Sequence, residues 1–169
     1  MNREVPGTTE GLPRSLSRLR AHFGALSDDT LPGDGLGAVT GTYRAVFVGP
    51  VLLRRVAPRA IAFGGMPGWY GKRFDGAGRG INLLHSTDGT AREVLPMRVA
   101  VAESWLDGRP ALTVSYGDHA PMPWRWVRDE VRMLDETRLL GLTYVGTPLS
   151  RMVATPFLLV RDGVPGEDT

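Results

Sequence analysis

The spacing of apolar residues changes once along the chain, near residue 39, from a helical repeat to a strand repeat. Before that point, Leu16, Leu19 and Phe23 recur at helical intervals, so residues 13–26 predict one short amphipathic helix. After it, short runs rich in β-branched and aromatic residues alternate with turns built from Gly, Pro and Asp. This second pattern predicts β-strands joined by short connections.

The predicted strands follow one another at intervals of about 10–15 residues, which is typical of an antiparallel meander rather than of a parallel sheet with crossover helices. About eight strands and one helix fit a mainly β protein, an antiparallel up-and-down barrel or half-barrel of the lipocalin kind, whose interior can hold a small ligand. A β-sandwich is the alternative. The ten candidate segments, from which about eight strands are expected, are 39–48, 51–56, 60–63, 70–74, 81–85, 95–105, 111–116, 126–134, 138–145 and 153–160.

Length and composition favour one folded domain. The chain has 169 residues, of which 42% are hydrophobic and 22% are charged. These values are ordinary for a globular protein and argue against global disorder. We expect a single domain over residues 13–161, with flexible tails at 1–12 and 162–169.

Several classes of protein are disfavoured. No apolar run reaches the roughly 18 residues of a transmembrane helix, and the first residues lead into no apolar signal segment, so we expect a cytoplasmic protein with no membrane span. A net charge of +2 is too weak to indicate nucleic-acid binding. The chain has no cysteine and no phosphate-binding or dinucleotide fingerprint, and its three histidines lack metal-ligand spacing. We therefore expect no metal and no cofactor.

The segment 68–74 (GWYGKRF) has the densest group of aromatic and basic residues. In an extended strand, Trp69 and Arg73 would share one face, and Tyr70 and Lys72 the other. Two rings beside two cations can clamp a planar or anionic ligand by stacking and charge. The simpler interpretation is a core strand whose basic groups reach solvent.

Two positions within this segment add further hypotheses. Gly71 in mid-strand would let a ligand or another backbone approach closely. Lys72 is the only lysine of the chain. A buried lysine can change its pKa, which arginine cannot, so Lys72 is the candidate for imine chemistry. Chance alone can also account for a single lysine.

A second candidate region lies between residues 116 and 134. Asp118 beside His119 could orient an imidazole for acid–base catalysis, although a polar turn is the simpler interpretation. Trp124 could roof a pocket or plug the end of a barrel. Asp129 falls on the apolar face of its strand, where it would be an internal base or form an ion pair with an arginine. We favour the ion pair.

The heptapeptide at 68–74, followed by Asn82-Leu83-Leu84, resembles a motif of an uncharacterised, largely actinobacterial family named for a GXWXG motif and joined to a C-terminal domain of unknown function. The resemblance spans about residues 31–161. Looser similarities occur at Tyr116, Pro121, 129–132, Asp135, 140–141 and 156–160.

Two positions differ from the pattern of that family. Tyr43, within Gly41-Thr42-Tyr43-Arg44-Ala45, stands where the tryptophan of GXWXG is expected, and Glu130 stands where a histidine is expected. The resemblance implies homology and brings no settled activity with it. A G-x-W near the first strand is also reminiscent of lipocalin-like and nitrobindin-like barrels, which is an analogy of fold only.

The main hypothesis is a small barrel that binds a small hydrophobic molecule in its interior. This molecule would be apolar or planar, and the basic residues of segment 68–74 would also allow it to be anionic. The alternative is a barrel enzyme, a cyclase or isomerase that orients a polyketide- or terpene-like chain in secondary metabolism. A third is an interaction module with a filled interior and an exposed apolar patch. The sequence leaves a homodimer open.

The expected ligand contacts are Tyr43, Trp69, Tyr70, Lys72, Arg73, Asn82, Tyr116 and Trp124. The candidate catalytic groups are Tyr70, Lys72, Asp118, His119 and Asp129.

Overall fold

The structure is a computed structural model that describes residues 9–26, 35–86, 88, 90–146 and 154–163. Most of the two predicted tails, residues 1–8 and 164–169, lies outside the described residues. Within them, no helix is long and apolar enough to cross a membrane. The described elements are two α-helices, α1 (Leu16–Ala25) and α2 (Val51–Phe63), and the strands β1 (Thr40–Phe47), β2 (Trp69–Asp75), β3 (Arg79–His85), β4 (Ala91–Glu103), β5 (Pro110–Ser115), β6 (Val127–Met133), β7 (Arg138–Val145) and β8 (Ala154–Arg161).

The strands form one closed antiparallel barrel. Each strand pairs with its neighbours in sequence, and β1 also pairs with β8, which closes the sheet. In this closing ladder, Phe47 lies opposite Phe157. The prediction of a mainly β, up-and-down barrel is therefore confirmed, and closure decides between the barrel, the half-barrel and the sandwich.

The interior of the barrel is packed at one end and hollow at the other. Side chains alternate inward and outward along each strand, and bulky inward residues such as Tyr43, Phe74, Met97, Val131 and Leu159 fill the first end. We call this the filled end. The opposite end, where α2 connects β1 to β2, retains a cavity, and we call it the roofed end.

Helix α1 packs on the outside of the barrel and lies within the predicted segment 13–26. Its N-cap is Ser15, whose side chain accepts a hydrogen bond from the backbone N–H of Arg18 at 3.4 Å. Leu19 and Phe23 are fully buried in a second apolar cluster that includes Leu158 of β8. The helix therefore covers one outer face and does not reach the cavity.

Two charged side chains on the outer face of β6, Arg132 and Glu130, form hydrogen bonds to α1 and to the β4–β5 connection. Arg132 is buried, and it donates to both carboxylate oxygens of Asp107 at 2.8 Å and to the Phe23 carbonyl oxygen at 3.0 Å. Glu130 accepts hydrogen bonds from the Ser104 hydroxyl and the Trp105 N–H. Since these groups satisfy one another, we assign them a structural role.

Residues 51–63 form a helix where strands were predicted. The sequence interpretation placed strands at 51–56 and 60–63, whereas the structure has the single helix α2. The segment has a helical repeat of apolar residues, which explains the helix. The repeat was overlooked because the segment also contains β-branched residues and Pro58, which are typical of strands and of helix ends. That repeat consists of Leu53, Val56, Ala57, Ala60 and Ile61.

Candidate functional site

The roofed end of the barrel contains a cavity of about 250 Å³. Apolar side chains at the strand ends nearest α2 form most of its wall, and a group of polar side chains forms its floor, where the cavity meets the packed core. The lining residues are Phe47, Leu53, Val56, Ala57, Ala60, Ile61, Met66, Trp69, Lys72, Asn82, Tyr116, Trp124, Val127, Asp129, Thr143, Val145, Thr155 and Phe157.

Helix α2 is the roof of this cavity. Its apolar stripe lines the cavity, and the helix contains no fully buried residue, so it is held by one face only. Its C-terminal end is anchored by Trp124, whose indole Nε1 donates to the Gly64 carbonyl oxygen at 2.6 Å. Trp124 therefore lines the cavity, as expected for a ligand contact, and also secures the roof.

Lys72 lies in the floor, and every proton of its ammonium group has an acceptor. Its Nζ is 3.0 Å from Asp129 Oδ2, 2.7 Å from the Tyr116 hydroxyl and 3.2 Å from Asn82 Oδ1. The same nitrogen lies 5.6 Å from the ring centroid of Trp69. Because an ammonium group has three donors, none is left over for a ligand.

The side chain of Asn82 is held in one orientation by three neighbours. Its Oδ1 accepts from Lys72 and from Trp69 Nε1, the latter at 3.0 Å. Its Nδ2 donates to the Leu95 carbonyl oxygen at 3.0 Å. Reversing the amide would set its NH₂ group against two other donors, so the hydrogen bonds themselves determine the orientation.

The Leu95 carbonyl is available because β4 contains a bulge at this residue. The β3–β4 register shifts between Ile81 and Asn82, and Leu95 has a φ of 52°, in the left-handed region. A leucine in that region costs on the order of 1–2 kcal/mol. The strained residue, Leu95, thus supplies the carbonyl oxygen that accepts the hydrogen bond from Asn82 Nδ2.

Asp129 is the anionic group of the floor. Its Oδ1 accepts from the Thr143 hydroxyl at 2.7 Å, and its Oδ2 faces Lys72 and, at 3.4 Å, the Tyr116 hydroxyl. The predicted ion pair of this carboxylate is confirmed, but its partner is Lys72 and not an arginine. The pair contributes no net charge to the cavity.

These contacts determine the protonation states in the floor. Burial by itself would lower the pKa of Lys72, but Asp129 and Tyr116 outweigh it, so the pKa lies above its ordinary value. Burial raises the pKa of Tyr116 despite the opposing effect of Lys72. At neutral pH the floor therefore has a charged ammonium and a neutral phenol. Imine chemistry needs a neutral amine, which this environment disfavours.

A β-bulge in β2 brings Trp69 and Lys72 to the same cavity although they are three residues apart. The β2–β3 register shifts between Trp69 and Gly71. Simple alternation, which placed Trp69 on the face opposite Lys72, was therefore wrong. At Gly71 the close approach is made by backbone: a Cβ there would overlap the Tyr43 carbonyl oxygen on β1.

Three of the expected ligand contacts do not line the cavity. Tyr43 is buried in the filled end, edge-on to Phe74 with ring centroids 5.7 Å apart. Tyr70 stacks on His85 at 4.0 Å. Arg73 lies on the barrel surface in an ion pair with Glu93. The structure therefore does not form the two-cation clamp, because only Lys72 of the two basic residues faces inward.

The catalytic candidates are also separated. Asp118 and His119 are exposed in the connection between β5 and β6 and do not line the cavity, because residues 117–119 of this connection face solvent. Tyr70 is absent from the lining as well. Of the five candidates, Lys72 and Asp129 line the cavity.

Sequence reasoning missed Thr143 and the roof residues. Thr143 lies two positions from both Gly141 and Val145 on the same face of β7, so strand alternation was a usable signal. The roof residues were missed because their segment was interpreted as strands. The structure also offers no metal site among the residues that it describes: no group of three or more His, Asp or Glu side chains is close enough together.

Comparisons with known proteins bear on the fold. No family model matches the chain, and no curated protein matches it. A solved structure described as "Crystal structure of protein from Thermomonospora curvata" is similar with a TM-score of 0.61 and 20% sequence identity over 88% of each chain. At this level of identity the likeness shows the barrel fold alone. The resemblance to the GXWXG-type family stays a prediction.

Proposed function

We propose that the protein binds a neutral, mainly apolar small molecule in the cavity beneath α2. The observation that carries this proposal is a cavity of about 250 Å³ with apolar walls and a polar floor of no net charge. Small-molecule sites are typically apolar pockets of roughly 300–1,000 Å³ with a few fixed polar groups. The cavity lies just below that range, which favours a compact ligand.

The floor favours a ligand that accepts one hydrogen bond. The donors of Lys72 and the indole N–H of Trp69 already have acceptors within the protein. The Tyr116 hydroxyl differs, because its acceptor, Asp129 Oδ2, is 3.4 Å away. This is long for an O–H···O hydrogen bond. A ligand carbonyl or ether oxygen near Tyr116 would be a better acceptor.

The same floor disfavours an anionic ligand. A second anion would lie beside the Asp129 carboxylate, while Lys72, the cation among the described lining residues, already has three partners. Arg73, the other cation considered from the sequence, is on the barrel surface. We therefore favour a neutral ligand over an anionic one.

The test combines native mass spectrometry of the freshly purified protein with fluorescence titration of prodan, a neutral naphthalene ketone. Ala57→Phe would fill the cavity from the roof, and Ala100→Phe, on an exposed position of β4, is the matched control. We expect a bound mass or saturable prodan binding in the wild type and in Ala100→Phe, and at least a tenfold weaker binding in Ala57→Phe. Absence of both signals in the wild type would overturn the proposal, and so would equal binding by the two variants.

A second candidate function, enolisation of a ketone, is favoured by the contact between Tyr116 and Asp129. Tyr116 would give its proton to the carbonyl oxygen while Asp129 takes a proton from the adjacent carbon, and Lys72 at 2.7 Å would stabilise the resulting phenolate. Return of the proton from Asp129 to Tyr116 would restore both groups. Return of a proton to a different carbon would move a double bond, which is the isomerase alternative.

This candidate has its own test, which is the exchange of ketone α-hydrogens with deuterated water, followed by NMR. Enolisation predicts exchange that is catalysed by the wild type and lost in both Tyr116→Phe and Asp129→Asn. A ligand that binds without any catalysed exchange would leave the binding proposal in place and remove the enzymatic one.

A further inference from the structure

The outer face of α2 has a second stripe, whose residues are exposed. Leu52, Arg55, Arg59 and Phe63 recur at intervals of three and four residues, which places them on one side of the helix. Leu52 is 74% exposed and Phe63 is 97% exposed. These two apolar side chains lie about three helical turns apart, or about 16 Å, with the arginines between them.

The short 3-10 helix Trp124–Trp126 extends this surface. It adjoins the end of α2, because Trp124 bonds to the Gly64 carbonyl. Trp126 is half exposed, and the Arg125 guanidinium lies 5.8 Å from its ring centroid. We call Leu52, Arg55, Arg59, Phe63 and Trp126, with Arg125, the outer roof surface.

The charge of this surface has one sign. Helix α2 has three arginines and no acidic residue. The acidic residues described in other connections at the roofed end, Asp88 and Asp118, lie in loops between strands and not on the helix. A convex helix with large exposed apolar side chains, interspersed arginines and an adjacent tryptophan is the composition of helices that lie in the interface of an anionic bilayer.

We propose that the outer roof surface docks on a bilayer that contains anionic phospholipid. Docking of this surface also concerns the cavity, because the opposite stripe of the same helix is its roof. Displacement of α2 by the bilayer would open the cavity towards the lipid phase, in which an apolar ligand dissolves. This second part rests on the proposed ligand-binding function, whereas docking itself does not.

A second copy of the chain and an acidic protein are less well matched to this surface. A protein partner would need a complementary groove for a convex helix, whereas a bilayer adapts to it. Two copies of the outer roof surface facing each other would also bring the arginines of both helices together, which is unfavourable. Self-association is nevertheless a measurable outcome and is included in the test.

The test is sedimentation of the full chain with vesicles of phosphatidylcholine alone or mixed with phosphatidylglycerol. We expect binding to the anionic vesicles that weakens with added salt, and little binding to the neutral ones. Arg55→Gln/Arg59→Gln should weaken binding by about fivefold for each arginine removed. Leu52→Ser/Phe63→Ser should weaken it at least tenfold by removing the inserting side chains. Arg98→Gln/Val101→Ser, on exposed positions of β4, is the matched control and should bind like the wild type.

Equal vesicle binding by all these proteins would overturn the inference. So would absence of vesicle binding combined with a concentration-dependent dimer that Leu52→Ser/Phe63→Ser abolishes in sedimentation velocity. The prodan titration distinguishes failure of the two proposals. Loss of vesicle binding with prodan binding intact removes only the docking inference, whereas vesicle binding with neither a bound mass nor prodan binding removes only the ligand site.

Discussion

Lys72 Nζ and Asp129 Oδ2 lie 3.0 Å apart inside the barrel, although the two side chains come from opposite walls. Their strands, β2 and β6, are separated by three strands in either direction around the closed sheet, so they lie on opposite sides. Both side chains are almost completely buried. A buried ion pair is stable only when its other hydrogen-bonding groups are satisfied. Here Tyr116, Asn82 and Thr143 supply those partners.

Removing one member of this pair should be costly, and removing both should not. Lys72→Met leaves Asp129 as an unpaired buried carboxylate, so we expect the free energy of unfolding to fall by about 3–5 kcal/mol. Asp129→Leu should cost a similar amount by leaving Lys72 unpaired. The double variant should recover most of the loss, because apolar replacements of a buried pair are often neutral. Urea unfolding followed by tryptophan fluorescence gives the three values. Additive single effects would contradict the coupling.

The free energy of unfolding should decrease on the alkaline side. The pKa of Lys72 is raised in the folded protein, so its contribution is present in full below the ordinary lysine pKa of about 10.4 and is lost as the pH rises through the higher folded value. The raised pKa of Tyr116 has the same sign, because folding disfavours its phenolate. Urea unfolding should therefore show a plateau between about pH 8 and 10 and a decline between about pH 10 and 12.

The double variant Lys72→Met/Asp129→Leu supplies the comparison for the alkaline decline, because it removes the ionisable lysine. Its dependence on pH above about 10 should be shallower than that of the wild type. Arg98→Gln, on an exposed position of β4, should keep the wild-type slope. Identical slopes in all three proteins would mean that other groups cause the decline.

Much of the barrel was predictable because its strands alternate regularly and end at strong turn signals. The predicted bounds of β7, 138–145, coincide with those observed. The polar residue on the apolar face of β6, Asp129, also indicated an internal ion pair. Its partner could not be predicted, since contact between β2 and β6 depends on closure of the sheet across residues far apart in sequence.

Two features of the site depend on departures from regular strand geometry and were therefore hidden. The bulges between Trp69 and Gly71 in β2 and at Leu95 in β4 reposition Trp69 and orient Asn82, and neither has a sequence signature as clear as a turn. Helix α2 was hidden for another reason. Its apolar stripe includes two alanines, and β-branched residues with Pro58 gave the segment the appearance of short strands.

Gly71 should be intolerant of a side chain, in contrast to Gly24 in α1. In Gly71→Ala the new Cβ would overlap the Tyr43 carbonyl oxygen, which belongs to backbone and cannot move without separating β1 from β2. We expect a loss of about 1–3 kcal/mol or more in the free energy of unfolding. At Gly24 a Cβ would meet its nearest neighbour at 3.7 Å, an ordinary contact. Gly24→Ala should therefore raise the stability by up to about 1 kcal/mol, through higher helix propensity. Thermal unfolding should show opposite shifts, and an unchanged or raised unfolding temperature of Gly71→Ala would contradict the close approach assigned to Gly71.

Tyr116 should discriminate between ligands with and without a carbonyl group. In Tyr116→Phe the proposed donor is lost, so we expect prodan to bind about 5–30-fold more weakly, equivalent to about 1–2 kcal/mol. A naphthalene dye of similar size without a carbonyl should lose much less. Tyr70→Phe is the control, because Tyr70 stacks on His85 and does not line the cavity. Equal losses for the two dyes would mean that Tyr116 supports the shape of the floor and does not donate to the ligand.

Trp124 should control how readily the roof opens. Trp124→Phe keeps most of the ring packing but removes the hydrogen bond to the Gly64 carbonyl, a change worth about 0.5–1.5 kcal/mol. If that bond holds the C-terminal end of α2, its loss should make amide hydrogen exchange in residues 51–65 about 2–10-fold faster, which is the rate change equivalent to that free energy. Exchange in β7 should change little. Association and dissociation of a ligand should both accelerate, because the same opening serves both directions. Trp126→Phe is the matched control, since Trp126 is half exposed and its side chain does not line the cavity. Unchanged exchange in Trp124→Phe would mean that the apolar stripe of α2 alone holds the roof closed.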